Sequence, residues 1–162
     1  MTQNLQLSGE TLMQSLYESD FHAWTQQQIN LLKEQAWQNL DVQNLVEELA
    51  DLGRRERQEL RNRLSVLLGH LLKWQFQPEQ RSNSWLATIR EQREQLNLLL
   101  EENPSLKPYS SEALAIAYKL GLNIAVRETG LPYETFPIDC PYSFEDALNE
   151  TFLTNLPIKP DV

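Results

Sequence analysis

Residues 42–76 read VQNLVEELADLGRRERQELRNRLSVLLGHLLKWQF, and their spacing decides the fold. Leu45, Leu49, Leu52, Leu60, Leu64, Leu67, Leu71 and Trp74 recur at three- and four-residue steps, the period of one helix face, with Glu56 as the one clear gap. Asp41 stands where an N-cap belongs. At 1.5 Å per residue the segment makes a helix of about 52 Å. A compact domain of this size has a radius of gyration of about 15 Å. Gly53 is the one candidate break. The residues after it, Arg54 and Arg55, do not cap a new helix, so we expect one continuous or gently bent helix. A helix this long is a reason to expect association, including a homodimer formed through it.

Composition agrees outside this stretch. Leucine appears 29 times, against 11 valines and isoleucines together. Unbranched side chains keep rotamer freedom in a helix and β-branched ones lose it, so helix is favoured over sheet. The expected fold is all-α: about five helices around the 42–76 spine, with a proline-rich irregular tail. We read residues 1–162 as a single helical domain, ordered over about 10–153, with 1–8 and 154–162 frayed.

Working outward, a short helix is expected over about Glu10 to Glu18. A second, capped by Asp20, is expected over about Phe21 to Asn39. Ser82 or Ser84 caps a helix running to about Glu101, with Trp85, Ile89, Leu96 and Leu100 on its apolar face. Ser110 or Ser111 opens another that runs to Glu128, and Gly130 stops it. On it Ala113, Ala117, Gly121 and Ala125 recur every fourth position, a shallow groove that lets a neighbouring helix approach closely. Gly121 inside this row is expected to face a helix at short range. The tail contains Pro132, Pro137, Pro141, Pro157 and Pro160, with one short helix capped by Ser143 and Asp146.

The chain carries 23 acids and 14 bases, a net charge of −9. Residues 1–41 and 129–162 hold the excess acid, and an acidic surface repels phosphate; no nucleic-acid partner and no membrane partner is expected. Arg54, Arg55, Arg57, Arg61 and Arg63 are interleaved with Glu56 and Glu59, which points to intrahelical pairing on a solvated face. No apolar run approaches the roughly 20 residues of a membrane span. The first residues lack the features of a signal peptide, and a cytoplasmic location is expected. One cysteine leaves no disulfide framework.

Taken in order, Asp20-Phe21 with Trp24, Glu47-Glu48, His70-Leu71-Leu72-Lys73-Trp74, Arg81 with Ser84-Trp85, Glu128-Thr129-Gly130-Leu131, and Phe136-Pro137 followed by Cys140-Pro141 form a set. With these words at this spacing the chain resembles the domain-of-unknown-function family twenty-nine, small all-helical proteins especially abundant in cyanobacteria. The resemblance runs from about Tyr17 to Leu153. It implies an α-helical bundle. It implies no catalytic residue, because the family carries no settled activity.

The residues leave one candidate binding pocket: His70, Lys73, Trp74, Arg81, Trp85 and Glu128. His70, Lys73 and Trp74 share a face at i, i+3 and i+4, and Trp85 follows a short connector. Trp walls with His, Lys and Arg donors suit a small anionic ligand or a peptide. Helix-end packing accounts for the same residues, since cations complement a helix C-terminus and Trp fills cores. Glu128 lies in a last helical turn, where the dipole disfavours an anion, so it needs a partner; Arg54 to Arg63, Arg81 and Arg90 are the candidates. A hydrolytic site using His70 and Glu128 is the third reading. Glu47 and Glu48 diverge by about 100° and do not share a ligand. Neither histidine has the Glu-x-x-His spacing of bundle metal sites, so no metal and no cofactor are expected. Cys140 has no local base and is expected to be an inert thiol. With no catalytic motif, the leading expectation is a protein–protein interaction or regulatory module with an unidentified protein partner.

Overall fold

The computed structural model describes residues 16–155, and every regular element among them is helical. They fall into two compact units, one ending at Gly53 and one beginning at Arg54. The expected first helix lies outside the described residues except at its end, where 16–19 are helical.

In the first unit, α1 spans Phe21–Lys33, and the Asp20 carboxylate accepts the Ala23 N–H at 3.0 Å, the expected N-cap. The helix stops six residues before the expected Asn39. Gln35 adopts a left-handed conformation (φ 59°), and the N–H groups of Gln35 and Ala36 bond back to the carbonyls of Leu32 and Leu31. These two bonds close a Schellman turn built on a residue other than glycine. A 3-10 turn, Trp37–Asn39, leads to Asp41. Asp41 then ties the unit together. Its carboxylate accepts from the Asn44 backbone at 3.3 Å and from the Trp24 indole at 3.1 Å. Its own N–H donates to the Gln28 side chain at 2.8 Å.

The spine helix, α2, spans Val42–Phe76, as its periodicity requires, and helical structure continues through Gly53. Its apolar positions do not share one fate. From Leu60 to Trp74 they are buried, whereas Leu49 and Leu52 are exposed.

In the second unit, α3 (Asn83–Glu102) is capped by Ser82, whose hydroxyl accepts the Trp85 N–H. A 3-10 segment, Pro104–Tyr109, enters α4 (Ser110–Thr129), which ends at left-handed Gly130 (φ 71°). A short α5, Phe144–Leu148, is capped by Ser143, which accepts the Asp146 N–H at 3.0 Å. The core draws on Leu60, Leu64, Leu67, Leu68, Leu71 and Leu72 of α2, Ile89 and Leu96 of α3, and the small row of α4. Ala113, Ala117, Gly121 and Ala125 are all buried, as the row required. Gly121 lies against α2 so closely that a Cβ there would sit 2.8 Å from the Ser65 carbonyl oxygen and 3.0 Å from the Gly69 nitrogen.

Candidate functional site

The second unit brings part of the expected cluster together. Lys73, in the last turns of α2, is almost wholly buried, and its ammonium donates to the Glu128 carboxylate in the last turn of α4. The same ammonium stands 4.2 Å from the centre of the Trp85 ring, at the start of α3. Three helix ends thus converge on one cation. The partner of Glu128 is Lys73, a correction to the arginines expected. The cause is geometric: Gly69 and Gly121 let α2 and α4 approach closely, which brings the C-terminal ends of the two helices within reach of one lysine. The lysine also answers the dipole problem, because its charge neutralises an anion placed at a helix C-terminus. Burial opposes ionisation of Glu128, but the hydrogen bond and charge of Lys73, helped by His70 and Arg127, outweigh it and hold the carboxyl below its ordinary value.

His70 is half-buried one turn earlier. Its Nδ1 lies 2.9 Å from the Val66 carbonyl, an acceptor only, so Nδ1 carries the proton. Burial and then the Lys73 charge pull its pKa below the ordinary histidine value, against the Val66 hydrogen bond and the charge of Glu128. The ring's hydrogen bond goes to Val66 and the carboxylate's to Lys73; among the described residues none joins His70 to Glu128.

Trp74 and Arg81 do a different job. Trp74 is fully buried and presents no wall to solvent; its indole donates to the Leu153 carbonyl at 2.9 Å. The Arg81 guanidinium lies 5.2 Å from the Trp74 ring centre and donates through Nε to the Trp74 carbonyl at 2.8 Å, closing the end of α2. The cations expected to receive a ligand therefore serve the protein's own acceptors and rings. A 650 Å³ groove lined by Leu100, Lys107, Leu114, Phe144 and Leu148 among others, and a 340 Å³ depression beside Arg90 and Glu150, include none of the six.

Of the Arg54–Arg63 stretch, Arg63 pairs with Glu59 at 2.7 Å in the expected i,i+4 manner. Arg61 and Arg57 instead serve Tyr109, by a 2.6 Å hydrogen bond and a ring contact. Cys140 is half-buried, and burial raises its thiol pKa, which suits an unreactive group. Among the described residues no group of His, Cys, Asp and Glu is placed to hold a metal, and no helix is long and apolar enough to cross a membrane.

Two features escaped the sequence reading. Arg93 is buried, and its guanidinium donates to the carbonyls of Ala147, Glu150 and Phe152 and to the Thr154 hydroxyl, at 2.9–3.2 Å. It holds the chain as far as Thr154, the first residue of the stretch 154–162 for which fraying is expected; residues 156–162 lie outside the described ones. Burial pushes its pKa down to about 10, with Glu150 opposing. The signal was present: Arg93 interrupts the stripe Ile89, Leu96, Leu100 on the buried side of α3.

The second lies in the first unit. Val42, Val46, Leu49 and Leu52 are 59, 61, 66 and 54% exposed. Their i, i+4, i+7, i+10 spacing places them on one side of α2. Phe21, Ile29, Leu32 and Trp37 of the same unit are exposed too, while Trp24 and Gln28 alone among its described residues are buried.

Comparison with curated proteins and with solved structures gives no match. A family model, Domain of unknown function DUF29, matches residues 16–153, a span that takes in most of each unit and the Lys73–Glu128 pair. The chain belongs to the DUF29 family.

Proposed function

We propose that the chain is a protein-interaction module whose docking element is the first unit, residues 16–53. One observation carries the reading. Eight of the thirteen exposed large apolar side chains described fall between Phe21 and Leu52. A covered apolar side chain contributes about 1.5–3 kcal/mol, so eight left in water is a large unsatisfied term in so small a unit. At on the order of 100 Å² each, the four on α2 expose about half of the roughly 800 Å² that one partner gives to a stable interface, and Phe21, Ile29, Leu32 and Trp37 add a similar area on the rest of the unit. Surface leucines scattered singly need no account, whereas a concentration of this kind marks interaction sites. The 60–74 stretch of the same helix sets the contrast, for there the leucines are covered by the second unit's own elements.

The test is site-specific photo-crosslinking in the cell of origin. A photoreactive residue replaces Leu49, and another replaces Ser111 as an exposed control in the second unit. A discrete protein adduct from position 49, absent from position 111, is expected. Equal or absent labelling at both positions contradicts the reading.

A further inference from the structure

The occupant of the exposed α2 face can be argued from charge, on the assumption that the docking unit just proposed is right. Residues 16–53 carry seven acids, namely Glu18, Asp20, Glu34, Asp41, Glu47, Glu48 and Asp51, against Lys33 alone. The acidic run ends with the apolar stripe, since Arg54 opens a basic run immediately after Leu52 and Gly53. Within α2, Glu47, Glu48 and Asp51 occupy the same turns as Val46, Leu49 and Leu52 but lie roughly 100–165° round the helix from them. Glu48 also accepts the Tyr17 hydroxyl at 2.6 Å, so the charge that bears on the stripe is the net charge of the unit. A unit that carries an apolar line on its surface and a net charge of −6 over residues 16–53 selects its partner twice. An apolar stripe of this width fits the matching stripe of another helix, read at i, i+3, i+4 and i+7. The surrounding field attracts cations and rejects anions. We infer that α2 between Val42 and Leu52 receives a basic amphipathic helix of another protein.

A second copy fits less well. An isologous contact through this face sets two units against each other, each with six net negative charges in 38 residues, and like charges across an interface are destabilising. An anionic membrane is repelled for the same reason.

The probe is a fluorescein-labelled three-heptad peptide with Leu at the a and d positions and Lys and Ala elsewhere. Two controls accompany it, one with Glu for Lys and one with the same residues scrambled. Anisotropy is read on the full chain, together with its Leu49→Lys and Glu47→Lys variants. Both replaced side chains are exposed, so the variants are expected to keep the parent's circular dichroism. The Leu/Lys peptide is expected to bind, with the scrambled one weaker by about tenfold or more and the Leu/Glu one silent. Leu49→Lys should weaken binding by about tenfold, and Glu47→Lys should weaken it and flatten its salt dependence. Binding that survives Leu49→Lys, or that the Leu/Glu peptide shares, overturns the proposal. So does a sedimenting dimer that Leu49→Lys dissociates, which puts a second copy on the face. A crosslink from position 49 into residues 1–15 of the same chain overturns it as well. A protein adduct at position 49 without peptide binding removes the basic helix and leaves the docking unit standing; loss of both removes both.

Discussion

Lys73 and Glu128 form an unequal pair: the lysine side chain is 3% exposed and the carboxylate 39%. One charge has left water and the other has not. The lysine consequently depends on the glutamate, because an unpaired buried ammonium is far more costly than an unpaired carboxylate at the surface.

The first expected outcome follows from that asymmetry. Glu128→Gln strands the lysine charge and should destabilise by about 1–3 kcal/mol, below the 3–5 kcal/mol of a fully buried pair because Glu128 meets solvent. Lys73→Met with Glu128→Gln removes both charges and should restore most of the loss. Urea midpoints of the two variants check this; a double variant as weak as Glu128→Gln contradicts it.

Acid should act through His70 before it acts through Glu128. The folded state lowers the histidine pKa, so the stabilising contribution is complete above the unfolded value of about 6.5 and is lost as pH falls below it. Glu128 is also lowered, so its contribution holds above the ordinary carboxyl value and is lost on further acidification through the folded one. The midpoint should be level from pH 8 to 7, fall below about pH 6.5, and fall again in the carboxyl range. His70→Gln should abolish the upper step. A midpoint that rises on acidification through pH 6.5 contradicts this assignment.

Gly121→Leu should lower stability by about 1–3 kcal/mol or more, since a side chain there meets the backbone at Ser65 and Gly69. Gly121→Ala normally gains about 1 kcal/mol of helix propensity, and here the methyl has nowhere to go, so a net loss is expected. Gly69→Ala should behave alike, because its Cβ would fall 2.9 Å from the Gly121 carbonyl oxygen. A gain in denaturant midpoint for both alanine variants contradicts the close crossing.

Arg93→Lys should not rescue Arg93→Met. The guanidinium reaches three carbonyls and a hydroxyl through its three nitrogens, and a single ammonium does not span them. Each acceptor left buried and unbonded costs about 1–3 kcal/mol. Both variants should lose about 3 kcal/mol and expose residues 147–154 to amide exchange. Parent-like exchange over those residues in Arg93→Lys contradicts the role.

The long helix, its Asp41 cap, the Ser143 cap, the Gly130 stop and the buried small row were all legible, because each rests on local periodicity or on a residue with one dominant use. The end of α1 was not legible, since Gln35 supplies the left-handed turn usually left to glycine or asparagine. The partner of Glu128 was hidden for another reason. Which cation reaches an anion depends on how closely two helices cross, and Gly69 sets that distance without announcing it in the pattern. Periodicity also treated Leu49 and Leu64 as equals. It reports which side of a helix is apolar and is silent on whether anything covers that side.

The most direct test of the docking account is amide exchange on the full chain, with and without the Leu/Lys peptide. Alone, residues 42–52 should exchange much faster than 64–74 of the same helix, because few buried contacts hold the former. With peptide, 42–52 should slow while 64–74 stays unchanged. Equal protection in both stretches before addition, or slowing confined to 64–74 after it, would contradict the account.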